Sequence, residues 1–163
     1  MAVRAAGAYP PVQVQGKHPV YAEMMLGNIG GANSEMSALA HYRYAHVMID
    51  DPHIAQLAHQ ISVVEMQHFD TFARLAKLLG ADPRMWQSYG GSKKYWSPGY
   101  VKYGTCSLHG LLQQLIQEEH DAILKYNQQA AYIQDPLVVE SLARIIEDEQ
   151  EHWKTWQEEF SRL

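Results

Sequence analysis

Cys106 is the only cysteine among the 163 residues, so one chain can form neither a disulfide nor a cysteine-built zinc or iron–sulfur site. A reducing compartment is the expectation. Basic charge is also scarce: 13 Lys and Arg stand against 18 Asp and Glu, for a formal net charge of -5, and Lys93-Lys94 is the one basic doublet. Such a surface does not attract a phosphate backbone, and nucleic acid is not expected as a partner. No run approaches the roughly 18 apolar residues that span a bilayer, and the N-terminal stretch lacks the apolar centre of a secretory signal. We therefore expect a soluble, cytoplasmic protein with no membrane contact.

What the sequence does have is apolar periodicity. Nearly half its residues are apolar, enough to bury one core, and a length within the roughly 100–200 residues of a single domain argues against division. Residues 1–18 carry Gly7, Pro10, Pro11 and Gly16 without a sustained period and read as a loosely ordered arm with no chemistry. From residue 19 to about 49, and again from 52 to 79, apolar side chains recur at steps of three and four, predicting two helices. Asp50-Asp51-Pro52 divides them, since Asp caps a helix and Pro suits its first position. Gly80 closes the second run, and a long connection follows through Pro83, Gly90, Gly91, Pro98, Gly99 and Gly104. Ser107 then opens a third helix to about residue 134, and Asp135-Pro136 opens a fourth that reaches the end. The expected domain is a four-helix bundle over residues 19–163: helix pair, long crossover, helix pair.

The two pairs are copies of each other. Glu35 and Glu119, Tyr42 and Tyr126, Asp51 and Asp135, Glu65 and Glu149, His68 and His152, and Phe72 and Trp156 all stand 84 positions apart. Each copy carries a lone glutamate on its first helix and a Glu-x-x-His on its second, as Glu65-Met66-Gln67-His68 and Glu149-Gln150-Glu151-His152. Residues three apart share a helix face, and 30 residues separate each lone glutamate from its Glu-x-x-His, so antiparallel helices joined by a tight turn bring them to one height. All six fall on apolar stripes. Four buried carboxylates repel one another and each costs several kcal/mol of desolvation without a counter-charge. Two divalent cations supply that charge, and oxygen ligands with two imidazoles suit iron or manganese.

From about Tyr21 to the C-terminus this pattern resembles the ferritin-like superfamily, and within it the rubrerythrin group. The resemblance implies an all-α bundle with an internal two-fold repeat and two metal ions per chain, iron or manganese. It implies Glu35, Glu65, His68, Glu119, Glu149 and His152 as the metal ligands. Tyr42 and Tyr126, each seven residues after a lone Glu, are implied as donors to carboxylates that tune catalysis. The register is contested at one point. Some rubrerythrins bulge this helix, which would turn Glu118 and Asp121 inward instead of Glu119; the repeat and the spacing to Tyr126 select Glu119. Rubrerythrins also carry a cysteine-ligated iron domain, which Cys106 alone cannot build, so an external electron donor would be needed.

The implied function is reduction of hydrogen peroxide, or of dioxygen, by a two-electron dimetal centre in a homodimer. Manganese-catalase-like dismutation and ferritin-like iron oxidation and storage are the alternatives. The remaining histidines invite blander readings. His46 lies on the inner face, but its repeat partner is Ala130, and a satisfied core histidine is expected; His18, His41, His53, His59, His109 and His120 read as surface or capping groups. Gly27-Asn28-Ile29-Gly30-Gly31 follows no strand and precedes no Lys-Ser/Thr, so it is no phosphate loop; its small residues suggest a close helix contact. The aromatic crossover, with Tyr95, Trp96, Tyr100 and Tyr103, is expected to pack along the bundle or cover the site.

Overall fold

The computed structural model describes residues 3–89, 92–104 and 107–163; Cys106 and the Gly90-Gly91 pair of the crossover lie outside them. Its helices are α1 (Pro19–Gly30), α2 (Glu35–Met48), α3 (Pro52–Leu78), α4 (Leu108–Tyr132) and α5 (Pro136–Phe160). α1 and α2 together pack along α3, and α4 packs along α5, so the bundle has four arms of which the first is broken. None of these helices is long and apolar enough to cross a membrane.

The starts follow the sequence signals. Asp51 accepts from the backbone N–H groups of His53 and Ile54 at the head of α3, Asp135 from Leu137 at the head of α5, and Ser107 from Gly110 at the head of α4. Past the end of α3, Gly80 adopts φ 104°, a left-handed conformation that glycine takes without strain.

The break in the first arm departs from the continuous helix expected over residues 19–49. Gly30 and Gly31 each disfavour helix by about 1 kcal/mol relative to Ala, and Ser34 restarts it by accepting from the Ser37 amide. Lys125 of α4 secures the gap, donating to the Asn33 carbonyl at 2.6 Å. The close contact foreseen for this glycine-rich stretch is made to the crossover instead of to a helix. A Cβ on Gly30 would collide with the backbone of Met85 and Trp86.

The crossover also holds a small antiparallel hairpin, β1 (Trp86–Tyr89) with β2 (Ser92–Tyr95), where the sequence predicts an irregular connection. Lys93 lies over the Trp86 ring at 3.8 Å, and the hairpin rests on α1. Trp96 donates to Ser37 Oγ at 3.0 Å, pinning the next stretch to α2.

Nor is the arm loosely ordered. Its residues 3–18 lie along the bundle, with Val12 and Val14 against the core and the Gln15 amide donating to Asp135 at 2.7 Å. The core forms two apolar layers. Met25, Ile29, Phe72, Leu75, Leu142 and Ile145 belong to one, and Ala45, Ala58, Ile61, Leu112, Leu115 and Trp156 to the other. Burying each such large side chain contributes about 1.5–3 kcal/mol. Between the two layers lies a polar one.

Candidate metal centre

α2 opens on Glu35, α3 carries Glu65 and His68 near its middle, α4 carries Glu119, and α5 carries Glu149 and His152. None of the six is more than 4% exposed. Both imidazoles aim Nδ1 at the carboxylates. His68 Nδ1 lies 3.2 Å from Glu149, 3.5 Å from Glu65 and 3.8 Å from Glu35. His152 Nδ1 lies 3.0 Å from Glu65, 3.1 Å from Glu149 and 3.7 Å from Glu119.

These atoms fall into two overlapping groups, Glu35, Glu65, His68 and Glu149, and Glu65, Glu119, Glu149 and His152; within each, one ligand atom per residue lies within 4.8 Å of the others. Glu65 and Glu149 belong to both. Each group has the donor set of a hard divalent cation, with two carboxylates placed to bridge and one carboxylate and one imidazole at each end. Glu65 Oε1 and His68 Nδ1 are buried in this space with no well-directed hydrogen bond, although His152 Nδ1 lies 3.0 Å from the first and Glu149 Oε1 3.2 Å from the second, a crowding of ligand atoms that a metal between them would relieve.

The electrostatics follow from crowding four carboxyl groups and two imidazoles out of water. Burial pushes Glu35 and Glu119 well above the usual carboxylate range, and the charge of Glu149 adds to it in both, that of Glu65 more strongly at Glu35. Burial opposes the charged forms of Glu65 and Glu149 too, but His68 and His152 hold both below the ordinary value. The two histidines are raised well above theirs: burial works against the imidazolium, and Glu149 at His68 and Glu119 at His152 lead the groups that outweigh it. Four simultaneous carboxylate charges are thus disfavoured here unless positive charge is supplied; four carboxylates, two neutral imidazoles and two divalent cations sum to zero.

Tyr42 and Tyr126 cross the bundle, Tyr42 donating to Glu119 and Tyr126 to Glu35. Each packs on its neighbour from the repeat, Tyr42 stacked 6.0 Å from Trp156 and Tyr126 tilted 5.1 Å from Phe72. Trp156 Nε1 also donates to the Tyr42 hydroxyl at 2.8 Å, a bond phenylalanine cannot match.

Several residues around the centre escaped the sequence reading. Asp148 backs His68 at 3.1 Å from Nε2 and is itself held by Arg144, by the Ala5 amide at 2.8 Å and by the Tyr9 hydroxyl. Burial would raise Asp148, yet the hydrogen bonds from His68, Tyr9 and Arg144 bring it down to about 2. The signal was a flaw in the repeat. Asp148 matches Val64, and both are buried. With no carboxylate at residue 64, His152 turns its Nε2 to the Val3 carbonyl at 3.0 Å.

His41 corrects another expectation, since it is buried and not a surface group: its Nδ1 lies 2.7 Å from Glu118. Glu118 thus engages α2 from outside the cluster, and Asp121 accepts from Gln117 on the surface. His46, on α2, bonds the Ala55 carbonyl at 2.8 Å, a satisfied histidine. A cavity of about 130 Å³ runs inward past Ala38, Tyr100, Val101, Lys102 and Glu118 to the carboxylates and both tyrosines. The crossover therefore both packs along the bundle and walls the approach to the site.

No protein-family model matches the sequence, and no curated protein matches it. The fold is similar to that of KatB, a manganese catalase from Anabaena PCC7120, with a TM-score of 0.86 at 18% identity over 99% of this chain and 80% of that one. It is also similar to the bacterioferritin BfrA of Mycobacterium tuberculosis, with a TM-score of 0.72 at 19% identity over 90% of this chain and 87% of that one. The Rhodobacter capsulatus bacterioferritin with a metal-free dinuclear site gives the same figures. The chain has the ferritin-like helical bundle fold.

Proposed function

We propose that Glu35, Glu65, His68, Glu119, Glu149 and His152 hold two metal ions, iron or manganese, and that the protein is an oxidoreductase consuming hydrogen peroxide. The observation that carries this reading is the pair of overlapping groups sharing Glu65 and Glu149, with buried ligand atoms of four glutamates and two histidines turned toward one another. When bound, such a dimetal pair supplies the two electrons that cleave an O–O bond.

The chain's own residues do the rest. Tyr42 and Tyr126 hold one oxygen each of Glu119 and Glu35, leaving the other oxygen for a cation. The cavity of about 130 Å³ has room for a molecule the size of peroxide beside the carboxylates. Glu118, steadied by His41 and by Gln114 at 2.9 Å, keeps a polar group on the wall along which peroxide would enter.

Dismutation, in which two molecules of peroxide give two of water and one of dioxygen, is the reading we favour, since it needs no reductant besides peroxide itself. The likeness to a manganese catalase over nearly the whole chain supports it. The second reading is the rubrerythrin-like peroxidase, in which one peroxide, two electrons from a donor protein and two protons give two molecules of water. Oxygen evolution by the manganese-loaded protein decides between them. One dioxygen per two peroxides without added reductant is the result expected; consumption only when reductant is present would establish the peroxidase. Many irons held per subunit in a closed shell would favour storage instead.

A further inference from the structure

We propose that the N-terminal arm is a working part of the metal centre: through Val3 and Tyr9 it positions both histidine ligands from behind and makes the two metal positions unequal. This rests on the dimetal reading above. A histidine that gives one ring nitrogen to a metal needs the other tied down, because that bond selects the tautomer and sets the basicity of the ligating nitrogen. Both histidines are tied at Nε2, leaving Nδ1 for the cluster.

The ties differ in kind. Behind His68 stands the Asp148 carboxylate, and Tyr9 and the Ala5 amide hold it in place, while the Ala5 carbonyl accepts from Arg144 at 3.0 Å and the Arg144 guanidinium lies 4.4 Å from the Tyr9 ring. Behind His152, among the described residues, stands the neutral amide carbonyl of Val3. A carboxylate makes the imidazole the stronger donor. The His68 position therefore binds its cation more tightly, and the His152 position depends on the first residues of the chain. Because the repeat partner of Asp148 is Val64, the arm stands where the second copy of a symmetric site would have placed its own carboxylate.

Manganese(II) is the probe, titrated into the metal-free full chain and followed by calorimetry and by the electron paramagnetic resonance of the bound ion. Removing residues 1–3 takes away the Val3 carbonyl and spares Ala5 and Tyr9. We expect the weaker of the two affinities to fall by about 10- to 100-fold, so that stoichiometric metal gives the six-line signal of an isolated ion. Val3→Ala keeps the carbonyl and should bind as the wild type does. Asp148→Asn removes the carboxylate behind His68 and should bring the two affinities together. An unaltered second affinity in the shortened chain, or a loss in Val3→Ala equal to that of the truncation, overturns the inference. Should the shortened chain fail to fold, unchanged spacing of the affinities in Asp148→Asn overturns it equally. A wild type that binds no manganese overturns the dimetal reading itself.

Discussion

Tyr126 on α4 donates a hydrogen bond to Glu35 on α2, and the bond is returned by Tyr42 of α2 to Glu119 of α4. Each lone glutamate is thus steadied by the opposite copy of the repeat. Phenylalanine at either position should leave both metals bound and slow oxidation of the reduced centre by peroxide, read by stopped-flow absorbance. The two variants should part in stability. Tyr42→Phe strands the Trp156 N–H at a cost of about 1–3 kcal/mol, while Tyr126 faces Phe72, which has nothing to strand. Equal melting temperatures would refute the asymmetry.

The carboxylates common to both groups should matter most for metal. Changing Glu65 and Glu149 together to Ala should abolish stoichiometric binding, and His46→Ala, whose ring is occupied by the Ala55 carbonyl, should keep both ions. Metal analysis after dialysis reads this. Without metal the double variant should unfold at lower denaturant than the metal-free wild type, because it leaves His68 and His152 buried without the carboxylates that pair them.

Metal uptake should release protons. Glu35, Glu119, His68 and His152 are all raised above their ordinary values, so each gives up its proton less readily in the metal-free protein. Ligation needs them deprotonated, so affinity rises with pH and falls as the medium is acidified. Calorimetry in buffers of different ionisation enthalpy counts the protons; a pH-independent affinity would contradict the protonation pattern.

Gly30→Ala should destabilise the chain by about 1–3 kcal/mol, the usual range for overpacking, because the new methyl meets the backbone of Met85 and Trp86. Gly99→Ala, whose nearest neighbour would be Ser97 Oγ at 3.5 Å, is the neutral control. Urea unfolding of the two side by side tests it.

The bundle and the six clustered residues were legible because their causes are local or periodic. Asp51-Pro52 and Asp135-Pro136 cap helices through their own neighbours, and Glu65 and His68 share a face by helical geometry alone. The arm was illegible because nothing in residues 3–18 organises itself; its order comes from Asp135, Arg144, Asp148 and His152, more than a hundred residues away. His41 misled for the same reason, since its partner Glu118 sits on another helix. Two signals were present and passed over. Gly90-Gly91 between two aromatic runs marks a hairpin, and the mismatch of Asp148 with Val64 marks where the repeat is not symmetric.

The bond from His152 to the Val3 carbonyl spans 149 residues, and that span orders events in biosynthesis. While the chain is being made, α2 and α3 can offer Glu35, Glu65 and His68, half of the cluster, and the arm has nothing to dock against. Only after α5 has been synthesised do the second half of the cluster and the partner of Val3 exist. The six clustered residues can therefore meet only in a finished chain, after the arm has found its partner on α5.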